Sequence, residues 1–288
     1  MTFLRNRAPG RATVITDTKT DPHSEPDRSY RLRDFAGAGL VCLGAIFCPP
    51  ALAAPDEIQV YLDDINAPGK TGIELHLNYV PKGRDTPDYP GEIPPNHVFR
   101  ATPEFSIGLR PNWDVGLYLP TEVAPGGDAY LDGVRLRLKY LAPVEAARPF
   151  FYGANVEVGY VPIRVSQDRY AAELRGILGY RGGPWLFAVN PILGWALSGP
   201  DKSSTPDLKL NFKIAREFNS EWSFGIETYS GFGPINDIAS SSQQDHVFYV
   251  AADFERKDFG VNFGIGRGLT DASDDRVIKA ILSIPTQW

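Results

Sequence analysis

The chain has 288 residues, 29 Lys and Arg against 35 Asp and Glu, a net charge of −6 and a mean hydropathy of −0.22. This acidic balance argues against nucleic acid as a partner, because phosphate backbones reward basic patches. Both cysteines, Cys42 and Cys48, lie near the start, so the remainder can hold neither a disulfide nor a thiolate metal site, and no apolar run of about 18 residues follows them to make a helical membrane span.

Residues 1–30 are polar, contain proline and lack periodicity, as expected of a disordered extension or of a start codon placed too far upstream. Arg28, Arg31 and Arg33 then precede an apolar run over 35–47 (FAGAGLVCLGAIF), which ends in Pro49-Pro50-Ala51-Leu52-Ala53-Ala54. A basic region, an apolar core and small residues at an A-x-A site predict a secretory signal peptide, cut between Ala53 and Ala54. Neither cysteine follows the small residues that a lipid-anchor signal requires. Residues 1–53 are therefore expected to be removed on export, leaving a product more acidic than the full chain.

Residues 54–70 hold a short alternating piece, Ile58-Gln59-Val60-Tyr61, then Asp63-Asp64 and Asn66-Ala67-Pro68-Gly69. A periplasmic arm or a plug is expected here, since one more strand would make an odd number and place the chain ends on opposite sides.

From residue 71 onward the pattern is period two, the signature of strands with one apolar face. Twelve segments alternate: 71–80, 99–109, 112–119, 130–141, 150–161, 170–180, 185–197, 208–216, 222–229, 247–255, 259–266 and 276–288. In the first, Ile73, Leu75, Leu77 and Tyr79 oppose Glu74, His76 and Asn78; in the fourth, Val134, Leu136, Leu138 and Tyr140 oppose Arg135, Arg137 and Lys139. Connections alternate too. Long ones such as 81–98 and 230–246 take turns with short ones such as Arg110-Pro111 and the RGGP stretch. One rim thus carries tight turns and the other carries loops. Together these features predict an all-β fold, a transmembrane antiparallel up-and-down β-barrel of about twelve strands over 71–288, with short periplasmic turns and long extracellular loops. A soluble β-sandwich would have no reason to alternate its loop lengths.

Trp113, Trp185 and Trp222 each open a segment after a short turn, Phe259 holds the equivalent place after another, and Trp288 ends the chain. These five are expected to form a membrane-interface belt at the tight-turn rim. Counting back in twos from Trp288 gives Thr286, Ile284, Leu282, Ala280 and Ile278. Here the chain resembles Gram-negative outer-membrane barrels, whose last strand and terminal aromatic residue are read by the barrel assembly machinery; the resemblance implies that machinery and the lipid bilayer as partners. Glu57-Ile58-Gln59-Val60-Tyr61, Ala67-Pro68-Gly69, Glu74-Leu75-His76-Leu77-Asn78-Tyr79 and Thr102-Pro103-Glu104-Phe105-Ser106-Ile107-Gly108-Leu109 further resemble proteobacterial barrels assigned to the MetA pathway of phenol degradation. That resemblance implies a channel or uptake role for small organic molecules, and no residue-level mechanism.

Strand parity assigns the lumen-facing charges. The acids are Glu74, Glu104, Asp114, Glu157, Glu173, Glu227 and Asp253; the bases are Arg135, Arg137, Lys139, Arg175, Lys209, Lys213 and Lys279, with His76 also inward. The bases of the fourth segment should lie between Asp114 and Glu157, and Lys279 beside Glu74 once the barrel closes. Mutual compensation is one reading; an anion-selecting constriction at Arg135, Arg137 and Lys139 is the other. His76, His97 and His246 fall in separate segments without ligand spacing, Ser106 has no partnered histidine, and Gly264-Ile265-Gly266-Arg267-Gly268 opens no helix. No cofactor, metal or catalytic residue is therefore expected. The function these features predict is passage of a small solute across the outer membrane; the alternatives are a lipid-acting outer-membrane enzyme and a filled structural or receptor barrel that works through its loops.

Overall fold

The computed structural model describes residues 57–143 and 149–286. The leader with its cleavage site, both cysteines and Trp288 lie outside the described residues. Among the described residues there is no helix.

The chain begins its sheet with β1 (Thr71–Lys82), β2 (Phe99–Arg110), β3 (Trp113–Tyr118), β4 (Thr121–Val123), β5 (Ala129–Leu131) and β6 (Val134–Leu141). It continues with β7 (Phe150–Tyr160), β8 (Tyr170–Gly182), β9 (Trp185–Ala196) and β10 (Asp207–Glu217). The last four are β11 (Trp222–Pro234), β12 (Asp245–Glu255), β13 (Gly260–Gly268) and β14 (Arg276–Thr286). Every ladder is antiparallel. β1 pairs with β2 on one side and β14 on the other, so the sheet closes on itself.

One of the expected twelve segments, 130–141, is broken in two, and a short strand follows the segment 112–119 in a stretch expected to be a long connection. β4 continues the line of β3 beyond Leu119-Pro120, both pairing with β2, and β5 leads into β6 across Asp132-Gly133. Pro120 has no N–H for a ladder, and its carbonyl accepts from the Asp132 amide at 2.7 Å. Gly133 adopts φ 127°, and a Cβ there would sit 1.9 Å from the Tyr160 carbonyl oxygen, so only glycine fits this bend. The barrel thus has twelve staves made from fourteen strands.

Tight turns close one rim. Between β2 and β3, Pro111 presets φ while Asn112 takes φ 72°, a conformation asparagine tolerates better than most residues. The opposite rim carries the longer connections 83–98, 161–169, 197–206, 235–244 and 269–275.

The two faces of the wall differ as the alternation requires. Phe105, Ile107, Leu109, Leu136, Leu138, Val156 and Val158 are exposed on the outside, while Glu104, Arg137, Lys139, Asn155, Glu157 and Lys213 are buried on the inside. Near the tight-turn rim the outer face carries aromatic contacts: Trp113 with Tyr140 at 5.0 Å between ring centroids, Phe150 with Tyr180 at 5.0 Å, and Trp222 with Phe254 at 4.7 Å. Trp185 and Phe259 share that depth through Phe187 and Phe254.

Residues 57–70 do not add a stave. They run within the barrel, where Ile58, Val60 and Tyr61 join Phe151, Ile177, Leu186 and Ala188 of the wall in one buried apolar cluster, with Leu62 and Ile65 against it. Beside β2 the segment makes a single parallel bridge, Pro68 to Gly108, with Gly69 N–H donating to the Gly108 carbonyl at 2.8 Å. A Cβ on Gly108 would lie 2.2 Å from the Ala67 carbonyl oxygen, so the absence of a side chain there lets the segment approach the wall.

Candidate functional site: a charged lumen and the segment within it

The residues that line the lumen form three linked polar clusters, each touching residues 57–70. In the first, Arg137 of β6 pairs with Glu104 of β2 at 2.7 Å and Asp114 of β3 at 3.3 Å, and donates to the Tyr118 hydroxyl at 2.7 Å and the Tyr61 hydroxyl at 3.2 Å. The two tyrosine hydroxyls are themselves 2.7 Å apart. Glu104 also faces His76 Nε2 at 3.3 Å, which Glu74 approaches at 3.6 Å.

The second cluster lies across β10 to β14. Lys279 pairs with Glu227 and donates to the Tyr229 hydroxyl and to the Ile58 carbonyl, each at 3.0 Å. Glu227 is shared with Lys213 at 3.2 Å, and Lys213 reaches Asp253 at 2.7 Å. The parity of Lys279 is as expected, but its neighbour is not: Lys279 sits opposite Asn78, whereas Glu74 sits opposite Ser283 and accepts from its hydroxyl at 3.2 Å. Alternation fixes which face a side chain takes, while its height depends on the register across the closing seam. In the third cluster, Arg175 pairs with Glu173 at 2.8 Å and donates to the Gln59 carbonyl at 3.3 Å; Lys209 stands 3.9 Å from Glu173.

Three further cations meet side chains of the segment. Arg135 lies 3.2 Å from Glu57 and 3.4 Å from Glu157, Lys139 lies 3.1 Å from Asp64 and 3.7 Å from Asp114, and Arg181 lies 2.8 Å from Asp63 and 3.7 Å from Glu217. At the centre is Tyr61, 2 % exposed, with Arg175, Arg137 and Lys139 at 4.5, 5.5 and 5.6 Å from its ring centroid. A ring face attracts cations, and burial strengthens the attraction. Asn190 of β9 holds the same residue by its main chain: its Oδ1 accepts from the Tyr61 N–H at 2.7 Å, and its Nδ2 donates to the Tyr61 carbonyl at 3.1 Å. One side chain thus supplies the two bonds that a neighbouring strand would give.

Strand parity puts Tyr118 on the inward face with Asp114, but it does not reveal Asn190, Arg181 or the segment's own acids as members of this site. Asn190 sits in a stretch of blurred alternation, and Arg181 lies one residue beyond the expected strand end.

Beside the segment a cavity of about 160 Å³ is lined in part by Gln59, Asp64, Glu74, Glu104, Arg137 and Lys139. It is smaller than the roughly 300 Å³ and upward typical of small-molecule sites. Glu74, His76 and Glu104 bring three donor atoms within 4.8 Å of one another, a grouping that could in principle hold a metal ion. Glu104 is already engaged by Arg137, however, and a carboxylate bound to a guanidinium is a charge-assisted pair rather than an open ligand. Ser106 Oγ accepts from Asn66 Nδ2 at 2.8 Å, a bond to the segment rather than to a catalytic base. His97 and His246 lie apart, toward the loop rim, beside Tyr79 and Gln244 respectively.

No family model matches the chain, and no curated protein matches it either. Solved structures do. The COG4313 outer-membrane channel from Pseudomonas putida F1 aligns over 80 % of this chain and 100 % of its own, at 12 % identity with a TM-score of 0.55. The fold is that of an outer-membrane β-barrel. The NanC porin (10 % identity, 75 % of this chain and 100 % of its own) and the KdgM porin in complex with disordered oligogalacturonate (9 %, 75 % and 99 %) each give a TM-score of 0.50. At such identities the likeness concerns the path of the backbone, and the side chains above belong to this chain alone.

Proposed function

We propose that the protein is a gated channel of the Gram-negative outer membrane, passing a small organic solute, with residues 57–70 as its movable plug. The apolar outer face supports the membrane setting. A soluble protein would expose a few hundred Å² of contiguous apolar surface at most, whereas here apolar side chains face outward on strand after strand and end in an aromatic belt at the tight-turn rim. Tight turns would face the periplasm and the long connections the outside.

The observation that carries the channel reading is the way the lumen is filled. The segment is held by ion pairs and single hydrogen bonds from wall side chains to its backbone, not by continuous strand pairing. Such contacts can be exchanged for water or solute one at a time. The resemblance to barrels of the MetA pathway agrees with a small organic solute. A lipid-acting enzyme is less well supported, since Ser106 and His76 are committed to Asn66 and Glu104.

Purified protein in planar bilayers tests this reading. The wild type should show rare, brief steps, and deletion of residues 57–63 should give long-lived openings. Silence from both proteins at every voltage would overturn the channel and leave a filled structural barrel. Recovery of the protein from the periplasm rather than the outer-membrane fraction would overturn the membrane setting.

A further inference from the structure

Resting on the channel reading, the lumen also discloses which solutes it passes. The cations Arg135, Lys139 and Arg181 each meet a carboxylate of the segment and another of the wall. In all three the segment's carboxylate is the nearer: 3.2 against 3.4 Å at Arg135, 3.1 against 3.7 Å at Lys139, and 2.8 against 3.7 Å at Arg181. Withdrawal of the segment would therefore take the nearer carboxylate of each pair away from its cation, in a lumen newly open to water.

The three stand in order along the barrel. Arg135 pairs with Gly159 at the loop end of the β6–β7 ladder, Lys139 pairs with Asn155 nearer the turns, and Arg181 lies beside the Gly182 to Trp185 turn. Arg135 and Lys139 are four residues apart on one strand, a separation of about 13 Å.

From this arrangement we infer that the solute is a linear polycarboxylate, and that it opens the channel by taking the places of Glu57, Asp63 and Asp64 on Arg135, Arg181 and Lys139 respectively. The segment is then an internal stand-in for the solute: it keeps the lumen's cations neutralised when no solute is present, and yields to an acid of the same chemistry. A bidentate or charge-assisted carboxylate bond forms as another breaks, so the exchange leaves no cation without a partner. A neutral solute of the same size could not do this.

Planar-bilayer recording separates this inference from the channel reading itself. Tetraglutamate and tetraglutamine, both with amidated ends, serve as probes of equal length with and without side-chain carboxylates. Tetraglutamate added on the loop side should raise the open fraction of the wild type roughly tenfold, and tetraglutamine should leave it unchanged. The triple variant E57Q/D63N/D64N should open without either peptide and, in a KCl gradient, give a reversal potential favouring chloride. Equal responses to the two peptides, or potassium selectivity in the triple variant, would overturn the polycarboxylate inference while the channel stands. Silence of the 57–63 deletion would remove the channel reading instead. Should the triple variant lose the heat-modifiable gel migration of a folded barrel, the wild type decides alone, through its two peptide responses.

Discussion

Replacing Asn190 with alanine tests the hold on the plug most directly. The change deletes two hydrogen bonds, of 2.7 and 3.1 Å, to the backbone of the fully buried Tyr61. Each is worth about 1 kcal/mol net, and a buried N–H or C=O left without its partner costs roughly 1–3 kcal/mol. The docked form should therefore lose about 2–5 kcal/mol, and at about 1.4 kcal/mol per factor of ten its ratio to the released form should fall roughly 30- to several-thousand-fold. Hydrogen–deuterium exchange in detergent micelles reads this at the Tyr61 amide, which should lose protection, and bilayer recording should show a matching rise in open fraction. Asn211→Ala is the control: Asn211 faces Asn190 across the β9–β10 ladder and is also buried, yet the Tyr61 clasp does not involve it. Unchanged protection at Tyr61 in a folded Asn190→Ala barrel would refute the reasoning, because the clasp would then contribute nothing to docking.

Other outcomes follow from neighbouring contacts. Asn66 Nδ2 and Ser106 Oγ are 2.8 Å apart, so an N66C/S106C pair should oxidise to a disulfide that locks the segment, abolishing openings until a reductant restores them. Lys279→Met removes one of the two cations on the buried Glu227 and leaves Lys213 at 3.2 Å, so it should destabilise the barrel by about 1–3 kcal/mol, read as a lower temperature for the heat-modified gel shift. In the loop after β13, burial pushes the Asp274 carboxyl up to about 6 from an ordinary value near 3.8, with nearby Arg100 opposing the shift. Because the folded loop favours the protonated acid, the penalty on its ionised form is absent below about pH 4 and complete above about pH 6. Protease nicking of residues 269–275 should accordingly increase over that window in the wild type and be independent of pH there in Asp274→Asn.

How far the sequence discloses this molecule depends on which physical rule governs each part. Strand identity and sidedness follow from period two, so Arg137, Lys139 and Glu157 could be placed inward from their neighbours alone. The break at Gly133 had a visible cause, which the apolar alternation on either side outweighed, while β4 lies beyond Pro120 in a stretch whose Pro and Gly content reads as a loop. Pairings across the seam required register, and Lys279 accordingly met Glu227 rather than Glu74. The course of residues 57–70 was the least legible feature. Ile58 to Tyr61 alternates as a strand does, yet its backbone is satisfied by the side chains of Asn190, Arg175 and Lys279, and no local pattern announces a hydrogen bond between residues more than a hundred positions apart.

The bonds between the segment and the wall also bear on how the barrel is built. The segment runs directly into β1, the strand at which the sheet closes, and its partners Arg135, Arg175, Asn190 and Lys279 are spread over four staves around the circumference. A sheet curling around such a core has a mandrel that sets its bore: a wrong number of staves or a slipped seam would pull some of these side chains out of reach. The same residues that close the finished lumen would thus gauge its width during assembly, and a chain without them should reach the closed barrel more slowly even where the final structure is unchanged.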